Sequence, residues 1–432
     1  MRDEAVAGKT DPHPPHSEID ISSKAFWDGT SEEREKVFAQ LREKEPISWQ
    51  RPIENAFMLN PDELGYWAVV KHKDIVEVSR HPDLYVSGRG VLFDDLPIEF
   101  LEMIQSFIAM DPPGHSRLRS LVAKAFTPRQ IRRIEDQITI AAKQVVDGFA
   151  GEQSGQIEFV DRCAKQLPLR VFSLMFGIPD HLQDQTAQAA QKIISWADPE
   201  HIGDRDPATV QLEACQELHS IADEISTLRR KDPKEDLFSN LVQAEVDGQH
   251  LTNQQIGSFF VLLSVAANDT TMNATTWSLK AFTEHPDQRD WLMEDFDARI
   301  DSAVEEILRY TVPIMTFRRT AVEDAELDGR RILAGDKVVM FYSSGNWDTD
   351  VFSDPDRFDL SRQPNQHVTF GGGGRHMCLG SQLAKSMLRA MWRELLTRVP
   401  DIHTTGEPKL LGTNFIRGVK AIDARFTPEH VS

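Results

Sequence analysis

Cysteine is scarce in this 432-residue sequence, which contains only Cys163, Cys215 and Cys378. No CxxC pair or nearby histidine cluster accompanies them, so neither a zinc site nor a disulfide framework is predicted. So few cysteines fit a reducing cytoplasm. The longest apolar run, 259–267, is interrupted by Ser264 and is far shorter than the ~20 residues that cross a bilayer. The N-terminus lacks the apolar core of a signal peptide, so we expect a cytoplasmic protein without a membrane anchor.

Positive charge is also in short supply, because 48 Lys and Arg residues face 68 Asp and Glu residues and give a net charge of −20. Such an acidic chain is a poor candidate for nucleic-acid binding. Residues 112–134 are the exception, since they include no acidic residue. The basic residues of this island are Arg117, Arg119, Lys124, Arg129, Arg132 and Arg133. Phe126 is the single aromatic residue of the island, without the repeated aromatic interleaving of a nucleic-acid surface, which favours a docking face for an acidic protein.

The chain shows no repeat and no break into two halves. Residues 1–22 begin polar and proline-rich and predict a flexible N-terminal tail, and residues 23–430 predict one large domain. Strand-like patches occur at 66–70, after the turn signal 61–65, and at 337–342. The remaining pattern is overwhelmingly helical, so the expected fold is mainly α with small β-sheets.

Three of the predicted helices carry the residues that matter for function. The first runs from about Pro112 to Ala125 and ends before Thr127, because a proline follows that residue. The second runs from Asn253, the expected N-cap, to about 283. The third runs from about 379 to 398 and stops before Pro400.

A glycine-rich loop, 370–380, holds four consecutive glycines followed by Cys378. Glycines let the backbone approach a large planar ligand closely. A cysteine just before a helix lies near the positive end of the helix dipole, which favours its thiolate. A phosphate-binding loop is the alternative, but the GK[ST] ending is missing. The loop therefore favours a thiolate ligand for a haem iron.

The whole segment from about 25 to 427 resembles the cytochrome P450 family. The family's cysteine signature is matched by Gly372, Gly374, His376 and Gly380 around Cys378. One departure is clear, because Gly371 stands where the family usually has phenylalanine and Phe370 is displaced by one residue. The resemblance implies a single-domain haem-thiolate monooxygenase that holds haem b through Cys378 and places Gly380 and Ala266 against the haem.

Glu306 and Arg309 form an ExxR pair on one helical face, about 70 residues before the cysteine. In the family this pair joins a later arginine in a structural charge cluster, and Arg362 is the expected partner.

His115 and Arg119 are four residues apart and project from one face of a helix, so together they could bind a pair of carboxylates. The resemblance makes those carboxylates the haem propionates and adds Arg319 and His376 as two further contacts. The alternative for each of these residues is a solvated surface side chain.

The second helix carries Asp269 and Thr270, which match the family's oxygen-activation segment. An acid beside a hydroxyl provides a path for the protons that dioxygen needs for heterolytic cleavage. Ala267 occupies a position where the family usually has glycine. Family members that run on peroxide typically lack the acid–alcohol pair, so the motif favours a monooxygenase, although a polar turn at a helix kink is the alternative.

Segments that match the family's substrate pocket are apolar, which favours a hydrophobic substrate. The predicted lining residues are Leu92, Phe93, Phe107, Val265, Ala266, Ile314 and Met315. About half of the matching apolar residues are expected to be ordinary core.

Further stretches resemble the branch that hydroxylates methyl-branched lipids and sterol side chains at a terminal carbon. They are 243–248, 318–321, 370–374 and 415–420. Terpenoid hydroxylation, and peroxide-driven or non-oxygenating chemistry, remain alternatives, and a haem-binding sensor is a third class. The chain has no flavin or iron–sulfur module, so we expect electrons from a separate ferredoxin and its reductase, with O2 as co-substrate. A monomer is the default expectation.

Overall fold

The computed structural model describes residues 12–429 except 55, 57, 59, 94, 97, 105, 196, 197 and 247. Residues 1–11 of the predicted tail lie outside the described residues. The chain forms one domain that is about 53% helical, as the sequence predicts. No helix in the described part of the chain combines the length and apolar content that a transmembrane span requires.

The helices surround one long helix that crosses the domain. They are α1 (Lys24–Asp28), α2 (Ser31–Lys44), α3 (His72–Arg80), α4 (Ile98–Ile104), α5 (Gly114–Ala123), α6 (Pro128–Arg133), α7 (Glu135–Asp147), α8 (Gln166–Phe176), α9 (Asp180–Ile194), α10 (Pro199–Ile202), α11 (Pro207–Lys231), α12 (Leu237–Gln243), α13 (Asn253–Glu284), α14 (Pro286–Glu294), α15 (Phe296–Thr311), α16 (Tyr342–Gly345) and α17 (Ser381–Arg398). Two 3₁₀ segments, Ser106–Ala109 and Lys124–Phe126, flank α5. A π-helical turn, Val160–Ala164, precedes α8.

The strands form small sheets at the edges of the helical body. They are β1 (Ile47–Gln50), β2 (Tyr66–Val69), β3 (Tyr85–Val86), β4 (Gln156–Glu158), β5 (Glu245–Val246), β6 (Gln249–His250), β7 (Thr316–Ala321), β8 (Ala325–Leu327), β9 (Arg330–Ile332), β10 (Lys337–Phe341), β11 (His403–Leu410) and β12 (Val419–Arg425). The largest sheet has the order β1-β2-β10-β7-β3, and β2 pairs with β10 in parallel. A second sheet has the order β11-β12-β4, and β5-β6 and β8-β9 are hairpins.

The N-cap of the long helix α13 lies one residue earlier than the sequence predicts. Thr252, not Asn253, is the N-cap: its hydroxyl accepts from the backbone N–H of Gln255, and the Gln255 side chain accepts from the backbone N–H of Thr252. This reciprocal capping box satisfies two backbone donors at the helix start. Helix α13 packs against α8, α9, α11 and α15. It is therefore the central helix of the domain, and its position is fixed on several sides.

Residues 12–22, which the sequence analysis assigns to a flexible tail, pack along the large sheet. The His13 ring stacks on the indole of Trp49 with centroids 4.0 Å apart, and the backbone N–H of Ser17 donates to the Trp49 carbonyl at 2.8 Å. Ile21 is fully buried. Apolar burial and backbone pairing therefore order this segment despite its polar composition.

Candidate functional site

The glycine-rich loop enters α17 through Cys378, as the sequence predicts. The backbone N–H of Cys378 donates to the carbonyl of Phe370 at 2.9 Å, which closes the loop. Burial raises the pKa of the Cys378 thiol, while hydrogen bonds from the backbone of Gly380 and Ser381 and the charge of Arg119 act in the opposite direction. A metal cation overrides the burial effect and holds a coordinating thiol as thiolate. The site therefore offers one cysteine sulfur surrounded by donors.

Two glycines in this loop are dictated by backbone geometry. Gly374 has φ +76°, and a Cβ there would lie 2.2 Å from the carbonyl oxygen of Ser79 on α3. Gly371 has φ +94°, a conformation that L-residues rarely adopt. A phenylalanine at position 371 would strain this backbone. In this chain the aromatic residue of the cysteine signature is Phe370 instead.

The Cys378 thiol faces a cavity between the loop and α13. The cavity has a volume of about 260 Å³. Thr270 and Ala266 of α13 line the same cavity as Cys378 and Gly380, so the predicted haem and oxygen positions share one space. Its remaining lining is mostly aliphatic and aromatic.

The predicted substrate residues divide into two groups. The cavity is lined by Phe107, Val265, Ala266 and Ile314, and it is not lined by Leu92, Phe93 or Met315. Phe93 and Met315 instead lie in the aromatic core between α1 and the large sheet. There the Phe93 ring packs edge-to-face on Tyr66 with centroids 5.0 Å apart. The hydrophobic side chains of Phe93 and Met315 therefore pack in the core and do not form the cavity wall.

Several aromatic residues that the sequence analysis did not select for the pocket also line the cavity, among them Phe317 and Phe415. Their rings pack edge-to-face with centroids 5.4 Å apart. The sequence analysis singled out the 415–420 stretch for its resemblance to lipid and sterol hydroxylases. Which of its side chains faces the cavity depends on the tertiary structure.

Four nitrogen-bearing side chains lie together at the cavity, where three of them line it and His115 packs against His376. They are His115, Arg119, Arg319 and His376, all predicted from the sequence. The rings of His115 and His376 lie 4.2 Å apart, and Arg119 donates from Nη2 to the Met377 carbonyl at 2.5 Å. His115 is 2% exposed, and neither of its ring nitrogens has a hydrogen-bond partner among the described residues.

The electrostatics of this cluster favour the binding of an anion. Burial and the charges of neighbouring basic groups lower the pKa of His115 to about 4. The same causes, burial first and then Arg319, lower the pKa of His376 to about 2. Basic groups placed close together with a buried, unpartnered imidazole form a site for carboxylates.

Helix α13 places Asp269 and Thr270 beside the cavity. The Thr270 hydroxyl donates to the Ala266 carbonyl at 3.0 Å and lines the cavity, whereas Asp269 is 4% exposed and does not line it. Burial raises the pKa of Asp269 to about 7, and no basic side chain in the described part of the chain forms an ion pair with it. The helix is continuous from Asn253 to Glu284, so Ala267 lies in regular helix.

The predicted charge cluster forms fully. Arg309 donates to both carboxylate oxygens of Glu306 at 2.8 Å, and both side chains are fully buried. Arg362 lies 3.2 Å from the same carboxylate, which also accepts from Asn365. Arg309 further donates to three backbone carbonyls of the segment 346–357. The cluster therefore connects α15 to the segment that precedes the cysteine loop.

Comparisons with known proteins identify the family of the chain. The cytochrome P450 family model matches residues 39–400. The methyl-branched lipid omega-hydroxylase of Mycobacterium tuberculosis strain H37Rv is 38% identical over 96% of this chain and 96% of its own. The steroid C26-monooxygenase of Rhodococcus jostii is 36% identical over 89% of this chain and 80% of its own. A Mycobacterium marinum cytochrome P450 solved with pseudoionone superposes with a TM-score of 0.93, at 50% identity over 96% of this chain and 100% of that chain.

The fold and the cysteine site are those of a haem-thiolate enzyme. The chain belongs to the cytochrome P450 family and is a P450 monooxygenase.

The residues present fit the haem iron and porphyrin that this family implies. Cys378 would supply the sulfur ligand, and Gly371 and Gly380 line the cavity without side chains. Both ring nitrogens of His115 lack a partner among the described residues and could bind an anion such as a porphyrin carboxylate.

Proposed function

We propose that this enzyme hydroxylates a hydrophobic substrate, a methyl-branched lipid or a sterol side chain, at a terminal carbon, with O2 and electrons from a ferredoxin. The observation that carries the proposal is the single apolar cavity lined by both Cys378 and Thr270. Haem b is the proposed cofactor, since the sequence has no C-x-x-C-H motif for covalent attachment. When bound, the haem supplies the redox chemistry that activates dioxygen.

The chain's own residues hold the cofactor and deliver protons. Cys378 provides the thiolate, and the four-residue basic cluster (His115, Arg119, Arg319 and His376) binds the haem carboxylates. Thr270 donates to the Ala266 carbonyl at rest, so its oxygen can accept a hydrogen bond from the cavity. The hydroxyl passes a proton onward when it rotates away from that carbonyl. Asp269, buried one residue earlier, holds a proton close to neutral pH.

Substrate class follows from the cavity walls and from the relatives. Outside the basic cluster the lining is mostly aliphatic and aromatic, with Phe107, Ile314, Phe317 and Phe415 among it. Such walls bind branched hydrocarbon chains by desolvation. A terpenoid is the second candidate, because the M. marinum relative at 50% identity was solved with pseudoionone.

The substrate proposal is tested by titrating the purified holoenzyme with three probes: a methyl-branched fatty acid, a sterol with an intact side chain, and pseudoionone. We expect a spin-state shift in the haem spectrum and a terminally hydroxylated product, identified by mass spectrometry, with at least one of the first two. Turnover of pseudoionone alone would favour the terpenoid alternative. A product that forms with peroxide but not with O2 and reductant would overturn the O2-dependent function.

The basic island is exposed on the cysteine side of the cavity. Lys124, Arg129, Arg132 and Arg133 are exposed, and α6 packs against α17, the helix that follows Cys378. Met377, next to the cysteine, is 46% exposed. A basic surface with an apolar point close to the sulfur fits an acidic electron carrier that docks by charge and then makes contact.

We therefore expect Arg132→Gln/Arg133→Gln to slow reduction by a ferredoxin because the steering charge is lost, with a larger effect at low salt than at high salt. Stopped-flow reduction under carbon monoxide measures the rate. The matched control is Arg330→Gln/Arg331→Gln, which removes two adjacent exposed arginines from the β8-β9 hairpin. Equal rates in the two double variants would contradict the docking face.

Thr270→Ala is expected to leave haem binding intact and to divert reducing equivalents to peroxide, because the hydroxyl that passes protons is missing. Product formed per NADH should fall about tenfold or more, in line with the usual contribution of a positioned proton donor. Thr270→Ser, which keeps the hydroxyl, serves as control. Unchanged product per NADH in Thr270→Ala would show that protons take another route.

The pH dependence of coupling should follow Asp269. Its pKa of about 7 means that the carboxyl is mostly protonated below pH 7 and loses its proton as the pH rises through that value. Product per NADH should therefore decline above about pH 7 in the wild type. In Asp269→Asn it should be low and without that step. A wild-type profile that is flat from pH 6 to pH 8.5 would remove Asp269 from the relay.

A further inference from the structure

Ser87 is a buried residue that no sequence motif singled out. It follows β3 directly, is 1% exposed, and its Oγ lies 3.2 Å from Nε2 of His376. His376 itself lines the cavity as part of the basic cluster. Ser87 does not itself line the cavity, and it contacts one of the two nitrogens of the His376 ring.

Asp111 fixes the backbone that carries Ser87. Its two carboxylate oxygens accept from the backbone N–H groups of Ser87 and Gly88, each at 2.8 Å. Its main-chain carbonyl accepts from the backbone N–H of His115 at 3.0 Å, at the start of α5. A Cβ at Gly88 would lie 2.5 Å from a carboxylate oxygen of Asp111, so a side chain at this position would displace that carboxylate. One side chain thus holds Ser87 in register with the helix that bears His115 and Arg119.

The roles of the two nitrogens follow from what each faces. A neutral imidazole has one N–H donor and one bare nitrogen that accepts. Nε2 is engaged by Ser87, which leaves Nδ1 as the nitrogen free to meet a group in the cavity. The neighbouring Arg119 and Arg319 select an anion there, and an anion only accepts hydrogen bonds. Nδ1 must then carry the proton, and Nε2 must accept one.

We propose that the Ser87 hydroxyl donates to Nε2 of His376 and thereby holds the ring in the Nδ1–H tautomer, the form that donates to a haem carboxylate. Ser87 is a positioning residue, and Asp111 supports it through the backbone. The inference rests on the proposed haem site. It goes beyond that site, because it assigns a proton position and the residue that sets it.

The direct test is the ¹⁵N spectrum of histidine-labelled holoenzyme in its diamagnetic, reduced, carbon monoxide-bound form. His376 is assigned by the resonances missing from His376→Gln. We expect the wild type to show the Nδ1–H tautomer and Ser87→Ala to lose that preference, whereas Ser87→Thr, which keeps the hydroxyl, should retain it. An Nε2–H tautomer or a doubly protonated ring in the wild type would overturn the proposal.

A second measurement is the rate of haem transfer to excess apomyoglobin. Loss of one buried hydrogen bond should make transfer from Ser87→Ala about three- to tenfold faster. In the His376→Gln background the same change should have no further effect, because the two residues act as one unit. Ser278→Ala removes another fully buried serine hydroxyl, one that bonds only within α13, and should transfer haem at the wild-type rate. Additive effects of Ser87→Ala and His376→Gln would contradict the proposal.

These outcomes separate the inference from the proposed function. A holoenzyme that has the thiolate spectrum but the wrong His376 tautomer refutes only the role of Ser87. A protein that binds no haem, or shows no thiolate spectrum, refutes the proposed haem site itself.

Discussion

Replacement of Cys378 by alanine is expected to abolish monooxygenase activity and the thiolate spectrum together. In the wild type, reduction and addition of carbon monoxide should give a Soret band near ~450 nm, and in Cys378→Ala any remaining haem should absorb near ~420 nm. The reason is that Cys378 is the one cysteine among the residues that line the cavity, and a neutral replacement ligand donates less electron density to the iron. Difference spectra and product analysis on equal amounts of haem measure both effects.

The other two cysteines provide matched controls. Cys163 and Cys215 are fully buried in the two large helical cores, and burial raises the pKa of both thiols, that of Cys215 to about 12. They are inert packing groups. Cys163→Ala and Cys215→Ala should keep the band near ~450 nm. A Cys378→Ala protein that retained that band would mean that another residue holds the iron.

The second large effect concerns Arg309. Arg309→Ala removes the guanidinium that makes both carboxylate bonds to Glu306 and contacts to three backbone carbonyls. Glu306 would then be fully buried with Arg362 as its remaining basic partner. Breaking a buried pair on one side costs about 3–5 kcal/mol of the free energy of unfolding. Urea unfolding followed by circular dichroism, together with the yield of haem-loaded protein, measures the loss.

An exposed ion pair on a helix provides the contrast. Lys24 and Asp28 lie four residues apart on α1, and their side chains are 63% and 47% exposed. Lys24→Ala should change the free energy of unfolding by no more than about 0.5 kcal/mol. If Arg309→Ala cost as little as Lys24→Ala, the ExxR cluster would not be the structural tie that its burial indicates.

Local helix geometry explains what the sequence could predict. Glu306 and Arg309 at i and i+3, and His115 and Arg119 at i and i+4, must share a face once the helix forms. Motif spacing then located Cys378 and Thr270. The residues on the haem side of the site could therefore be predicted one by one before the fold was known.

The substrate side depended on tertiary placement and was predicted less well. Ile314 and Met315 are neighbours in extended chain, so their side chains point in opposite directions, one to the cavity and one to the core. Hydrophobicity alone cannot choose between them. Asp111 and Ser87 are 24 residues apart, and nothing local indicates that the chain between them closes on itself.

The glycine run before Cys378 also limits how this loop can be changed. A side chain at position 374 is excluded by a steric clash, because a Cβ there would contact the carbonyl oxygen of Ser79 on α3. At Gly371 the nearest atom to a Cβ is 3.9 Å away, so a methyl group has room, and φ +94° is what opposes it. Substitution at position 371 is therefore opposed by the handedness of the backbone conformation and not by a lack of space. A D-alanine placed there by semisynthesis would match the backbone, whereas L-alanine would not.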